Sequence, residues 1–152
     1  MTGLNTWELN KMLNGNPVTR RTFLGTYPAC MSPKTKRSFN TFITNSEEHD
    51  KAGEHWNAWV VNGSTVTFFD SFSRDPRHSN FPKHYMDMIK RFDNVNFVSK
   101  RVQSMRSTYC GLFCIHFIYI MSLGLDVTSF LEDYSSNYSK NDNVVAKIVQ
   151  EF

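Results

Sequence analysis

Apolar residues recur along the chain with two different spacings, and each change of spacing marks a new element. Leu4, Trp7, Leu9, Met12 and Leu13 approximate a 3.6-residue stripe that Asn14-Gly15-Asn16-Pro17 stops, predicting a short helix from Leu4 to Leu13. Thr22 to Tyr27 follows, and a loop then runs through Pro28 and Pro33. Ser38 to Thr44, carrying Phe39, Phe42 and Ile43, predicts a strand, with a polar loop over 45–53 behind it. His55 to Val61 and Thr65 to Asp70 are stronger strands, and Asn62-Gly63 between them is the best hairpin signal in the chain.

After an arginine-, serine- and proline-bearing loop, Tyr85, Met88, Ile89 and Phe92 fall on one helical face within Pro82 to Phe92. Val95, Phe97 and Val98 predict a strand over Asn94 to Val102. Gly111 to Leu123 is apolar nearly all round, the pattern of a buried helix. Asp126 is placed to cap a short helix ending near Tyr134, and Val144 to Phe152 reads as an amphipathic helix. Strands interleaved with helices around one buried helix imply an α+β fold, a mixed central sheet packed against helices, in a single domain spanning 1–152.

Composition narrows the classes. Hydrophobic residues make up 40% of the 152 and aromatics 14%, with 13 Phe, so the core leans on rings. A charged fraction of 20% excludes a disordered polyelectrolyte. No run of 18 apolar residues and no basic-then-apolar leader is present, so neither a membrane span nor secretion is expected. Three cysteines, an odd number, argue against a disulfide framework and for a reducing compartment. Cys110 and Cys114 lack the further ligands zinc would need, and no metal is expected. The net charge of +3 demands no nucleic acid, although Arg20-Arg21, Lys34-Lys36-Arg37, Lys83 with Lys90-Arg91, and Lys100-Arg101 with Arg106 cluster the cations. Solvated surface charge is the simpler reading of those clusters.

The chemistry concentrates in four groups. Cys110 stands at the start of the buried helix, where backbone amides and the helix dipole favour a thiolate, whereas Cys114, one turn deeper, reads as an inert core residue. Cys30 reads as a surface thiol. His55 opens one hairpin strand and Asp70 closes the other. With the turn centred on Asn62-Gly63 they pair directly, so the carboxylate would orient the imidazole. Gln103, seven residues before Cys110, offers a neutral amide beside the Cys110 backbone amide, the makings of an oxyanion hole. His49, His78 and His84 read as surface residues and His116 as packing. Nucleophile, base, orienter and oxyanion donor together describe a thiol hydrolase.

Phe23-Leu-Gly-Thr-Tyr27, Ser32-Pro33, His55-Trp56, Phe69-Asp70-Ser-Phe72, Gln103 and Cys110-Gly-Leu-Phe-Cys114 run in one order across roughly residues 5 to 120. In these segments the chain resembles the adenain family, the adenovirus-type cysteine endopeptidases, within the clan that also holds the ubiquitin-like-protein proteases. The resemblance implies Cys110 as nucleophile at the N-terminus of a buried central helix, His55 as base, Asp70 as orienter and Gln103 as oxyanion donor. It also implies substrate contacts at Trp56 and Gly111 in a cleft narrow enough to favour glycine near the scissile bond. Expected partners are protein substrates, viral structural precursors, with no membrane partner and a monomeric enzyme. Expected locations are the cell interior, the virion and the host nucleus. No cofactor is expected. A peptide activator held non-covalently or through Cys30, and DNA bound through the basic clusters, are activators the resemblance admits. A SUMO-type protease and a same-clan acetyltransferase stay open as alternatives.

Overall fold

From Trp56 to Val61 every residue but Asn57 is apolar, as in a strand covered on both faces. A computed structural model, which describes residues 3–36, 38–46 and 55–152, places that strand at the centre of the sheet. Among the described residues the strands are β1 (Phe23–Tyr27), β2 (Phe39–Asn45), β3 (Trp56–Asn62), β4 (Thr65–Phe69) and β5 (Asn94–Phe97), hydrogen-bonded in that order. The two outer pairs are parallel and the two inner pairs antiparallel, so the sheet is mixed. The helices are α1 (Thr6–Gly15), α2 (Lys83–Ile89), α3 (Cys110–Ser122), α4 (Val127–Leu131) and α5 (Tyr138–Gln150). No described helix is long and apolar enough to cross a membrane.

Alternation along β3 divides the core in two. Trp56, Ala58 and Val60 face α3, together with Phe69, Phe113, Phe117 and Phe130. Trp59 and Val61 face the other way, against Phe42, Phe68, Phe81 and Tyr85. Each buried ring contributes roughly 1.5–3 kcal/mol through the apolar surface it removes from water. Stacking adds to this where rings meet, as between Phe69 and Phe117 with centroids 4.8 Å apart. The helix ends follow their sequence signals. Asn5 forms a reciprocal capping box with Glu8, and the Asp126 side chain accepts from the Ser129 amide at the start of α4.

Three expectations change. The strand predicted over Asn94 to Val102 keeps only Asn94–Phe97. Beyond it Val98 still donates to the Phe68 carbonyl, but the chain then leaves the sheet and returns at Val102 and Gln103, whose amides both donate to Ser71 O. The terminal helix is longer than its apolar face suggested, because Asn137 caps it seven residues upstream of Val144. The hairpin register also differs. Asn62 pairs with Thr65, so the turn residues are Gly63 and Ser64 rather than Asn62 and Gly63. Only glycine then takes a positive φ, 62°, in the turn, and Trp59 comes opposite Phe68 with rings 4.6 Å apart. Most of the loop predicted over 45–53, with His49, lies outside the described residues.

His116, on α3, is 2% exposed and its Nδ1 lies 2.6 Å from the Tyr134 hydroxyl. Burial outweighs the charge of Asp133 and pulls the imidazole down to about 4. The unfolded chain therefore binds the extra proton first, and stability is lost as pH falls from about 6.5 to about 4. Urea midpoints should drop across that window by the equivalent of a few kcal/mol, roughly 1.4 kcal/mol for each tenfold difference in proton affinity between the folded and unfolded chain. His116→Gln should flatten the slope, and an equally steep slope in that variant would remove His116 as its source.

Candidate active site

Asp70 follows β4 directly and has no exposed surface, so its carboxylate must be met by donors or give up its charge. Donors reach it from the strand opposite and from the turn that follows. The observed register puts Asn57, not His55, across from Asp70, and Asn57 Nδ2 donates to Asp70 Oδ1 at 2.8 Å. His55 lies two residues before Asn57, just outside β3, and its ring stacks on Phe72 of the turn after β4 at 5.4 Å. From this diagonal position His55 Nε2 reaches Asp70 Oδ1 at 2.5 Å. The direct pairing expected from the sequence is therefore corrected to a diagonal one, while the imidazole–carboxylate contact forms.

Arg74 completes the cage. Its Nε and backbone amide donate to Oδ2 at 3.0 and 3.2 Å, and Nη2 donates to Oδ1 at 3.2 Å. The turn that aims it back carries Ser73 at φ 65°, a left-handed conformation costing about 1 kcal/mol in a non-glycine residue. Burial alone would raise the Asp70 carboxyl. The hydrogen bonds and charges of His55 and Arg74 override it and hold the group well below the usual carboxylate range.

His55 Nε2 is engaged by Asp70, and Cys110, which borders the same cavity, interacts with the imidazole as well. Cys110 is the first residue of α3 and is 4% exposed. The Trp56 amide donates to its Sγ at 3.5 Å, while Cys114 Sγ donates to the Trp56 carbonyl at 3.4 Å, so two sulfurs of one helix grip a single residue of β3. Burial pushes the Cys114 thiol well above its ordinary value, in keeping with a packing role. Cys30 is exposed.

Gln103 is buried but borders the same cavity as His55 and Cys110, a space of about 480 Å³ lined also by Leu4, Trp56, Phe72 and Met105. Its amide is oriented from behind. Ser71 Oγ donates to Oε1, leaving Nε2 as the donor side, where one N–H goes to Ser107 O at 2.8 Å and a second remains in the group's valence. Trp56 is 2% exposed, so it backs the cavity with an edge, its indole N–H donating to Leu4 O at 2.9 Å. Gly111 does not border the cavity. A Cβ there would lie 3.3 Å from Trp56 Cδ1 and 3.4 Å from Leu4 and Leu9, so its bare backbone serves close packing of α3. Among the described residues no cluster of His, Cys, Asp and Glu could hold a metal ion.

Asn57, Arg74 and Ser71 are not among the residues that the sequence singles out. Asn57 did leave one signal, as the polar interruption of an otherwise apolar central strand.

Burial lowers the His55 pKa, but the hydrogen bonds and negative charges of Asp70 and Cys110 prevail and raise it to about 9. A raised base stabilises the fold fully below its unfolded value near 6.5 and loses that contribution as pH climbs through 9. Wild type should therefore exceed His55→Gln in unfolding free energy by on the order of 2–3 kcal/mol at pH 6, with the gap closing toward pH 9.5. A gap that stays constant with pH would mean the imidazole does not keep its proton in the folded state.

No family model matches the chain. Among curated proteins it is similar to the protease of bovine adenovirus 4, 31% identical over 133 residues covering 78% of this chain and 65% of the relative. The protease of bovine adenovirus 7 gives the same identity and coverage, so the chain spans just under two thirds of the length of these relatives. Among solved structures the ASFV pS273R protease shares the fold, with a TM-score of 0.61 at 14% identity over 95% of this chain and 66% of that one. With 31% identity over 133 residues, the chain is similar to the adenovirus proteases.

Proposed function

We propose that the chain is a viral-type cysteine endopeptidase that processes virion or capsid precursor proteins. The observation that carries this reading is the His55–Asp70 hydrogen bond beside a cavity that His55, Cys110 and Gln103 line together. In the mechanism these groups support, His55 holds the Cys110 proton and the thiolate sulfur attacks the scissile carbonyl carbon. The carbon–oxygen π pair moves to oxygen, where Gln103 Nε2 and the backbone amide opening α3 receive it. The imidazolium then gives its proton to the departing amine as the carbon–nitrogen bond breaks, leaving a thioester. Water, deprotonated by His55, adds to the thioester carbonyl, and the carbon–sulfur bond breaks to release the acid and restore the Cys110 thiolate beside a protonated His55. Asp70 keeps its negative charge throughout and stabilises the imidazolium.

Aromatic side chains at Trp56 and Phe72 restrict the approach to the sulfur and support a preference for glycine or another small residue near the scissile bond. DNA as an activator is part of the proposal. Lys36 and Arg91 border a second cavity of about 650 Å³ at the Gly63–Ser64 turn, which shares no lining residue with the site's cavity, and offer a polyanion a footing.

Cleavage of a glycine-containing peptide library tests the reading, with and without DNA, for wild type and Cys110→Ala. Turnover should fall by about a thousandfold or more in the variant. Cleaved sequences of the virion-precursor kind support the proposal, whereas exclusive cleavage after diglycine tails would move it to a ubiquitin-like-protein protease. Acetyl transfer from acetyl-CoA without peptide cleavage would replace it, and no turnover together with a Cys110 inert to alkylation would defeat it.

A further inference from the structure

The face of the sheet opposite α3 is aromatic, yet a line of polar side chains crosses it beneath the surface. Trp59, Thr44, Tyr85, Asn57 and Asp70 all have no exposed surface. Trp59 Nε1 lies 2.9 Å from Thr44 Oγ1, Thr44 Oγ1 is 2.6 Å from Tyr85 Oη, and Tyr85 Oη is 2.9 Å from Asn57 Oδ1. Asn57 Nδ2 closes the line on Asp70 Oδ1 at 2.8 Å. Thr44 comes from β2, Asn57 and Trp59 from β3, Tyr85 from α2, and Asp70 from just beyond β4.

The two ends fix every proton in between. An ionised carboxylate only accepts, so Asn57 must turn its amide nitrogen to Asp70 and its oxygen to Tyr85. That oxygen needs the Tyr85 O–H, which leaves the phenolic oxygen to accept from Thr44. Thr44 in turn accepts from the indole N–H, a group that can only donate. Every donor points toward the carboxylate, and each bond polarises the next. Burying polar groups in an aromatic layer costs stability unless all are satisfied. A network whose sole purpose was packing would have no reason to end on the one oxygen that also receives His55.

We propose that Asn57, locked by Tyr85 and by Thr44 and Trp59 behind it, is the positioning residue that sets the Asp70 carboxylate and, through it, the His55 ring facing Cys110. Arg74 holds Asp70 from the following turn and is only half-buried. The buried line supplies the fixed edge against which that grip works. The groups facing Asp70 are His55 and Asn57 on the β3 side, Arg74 from its own turn, Tyr85 from α2, and Cys114 from α3. Burial pushes the Tyr85 phenol up, so it stays a donor throughout the working pH range.

The inference rests on the protease reading only for its activity arm. The test records the His55 imidazole by NMR against pH in wild type, Asn57→Ala, Tyr85→Phe and Thr44→Val, beside peptide turnover. The wild-type midpoint near 9 should move down toward 6.5 in Asn57→Ala and less far in Tyr85→Phe, with kcat reduced about tenfold and KM unchanged. In an Asp70→Asn background, Asn57→Ala should add no further loss. Should Asn57→Ala fail to fold, Tyr85→Phe, which removes one oxygen, decides. A shifted midpoint in a protein that cleaves nothing would sink the protease reading and leave the positioning role standing. An unmoved His55 midpoint in folded variants would overturn the positioning role, whatever the turnover.

Discussion

A carboxylate with no access to water is the constraint around which this structure is organised. Asp70 cannot stay charged in an aromatic core without a shell of donors, and the shell recruits residues far apart in sequence: His55, Asn57 and Arg74. Meeting that demand fixes the hairpin register, the left-handed turn at Ser73 and the angle at which the imidazole leaves the sheet. The site is thus a by-product of solving a solvation problem. The ring that helps to neutralise the carboxylate is the ring presented to Cys110.

The second half of the site is built by a different logic. Cys110 gains its place from helix packing, because α3 is apolar on all sides and must sit against the sheet. Gly111 lets the helix start approach Trp56 closely, and the sulfurs of Cys110 and Cys114 hold the Trp56 peptide group. Cys110 and His55 therefore meet through one residue of β3. Its preceding neighbour is the imidazole, and its own amide touches the thiol.

Much of this was legible in the chain because it is local. A helix starting at Cys110 follows from apolar residues on every side of it, and the two long strands around Asn62-Gly63 follow from composition and alternation. What the sequence left open was pairing at a distance. A turn placed one residue later changes the partner of every residue in the hairpin, yet keeps each side chain on the same face. The hydrophobic pattern cannot therefore choose between the two registers. The Asn57–Asp70 bond and the Trp59–Phe68 contact choose together, and both exist only in three dimensions. Arg74 and Ser71 were hidden for the same reason: polar residues in a loop carry no periodicity, and their value depends on which buried atom they meet.

Asp70 and Ser71 are adjacent, yet they hold opposite sides of the cavity, His55 and Gln103. Asp70 orients the imidazole. Ser71 orients Gln103 with its hydroxyl, and its carbonyl ties down Val102 and Gln103. One peptide bond, planar and stiff, thus links the two halves of the site like a rigid coupling between shafts. Neither half can be re-aimed alone, and sequence drift at 70–71 is confined to changes that suit both at once. Lineages remodelling this cleft would find freedom at its rim, at positions such as Met105, and almost none along that shared joint.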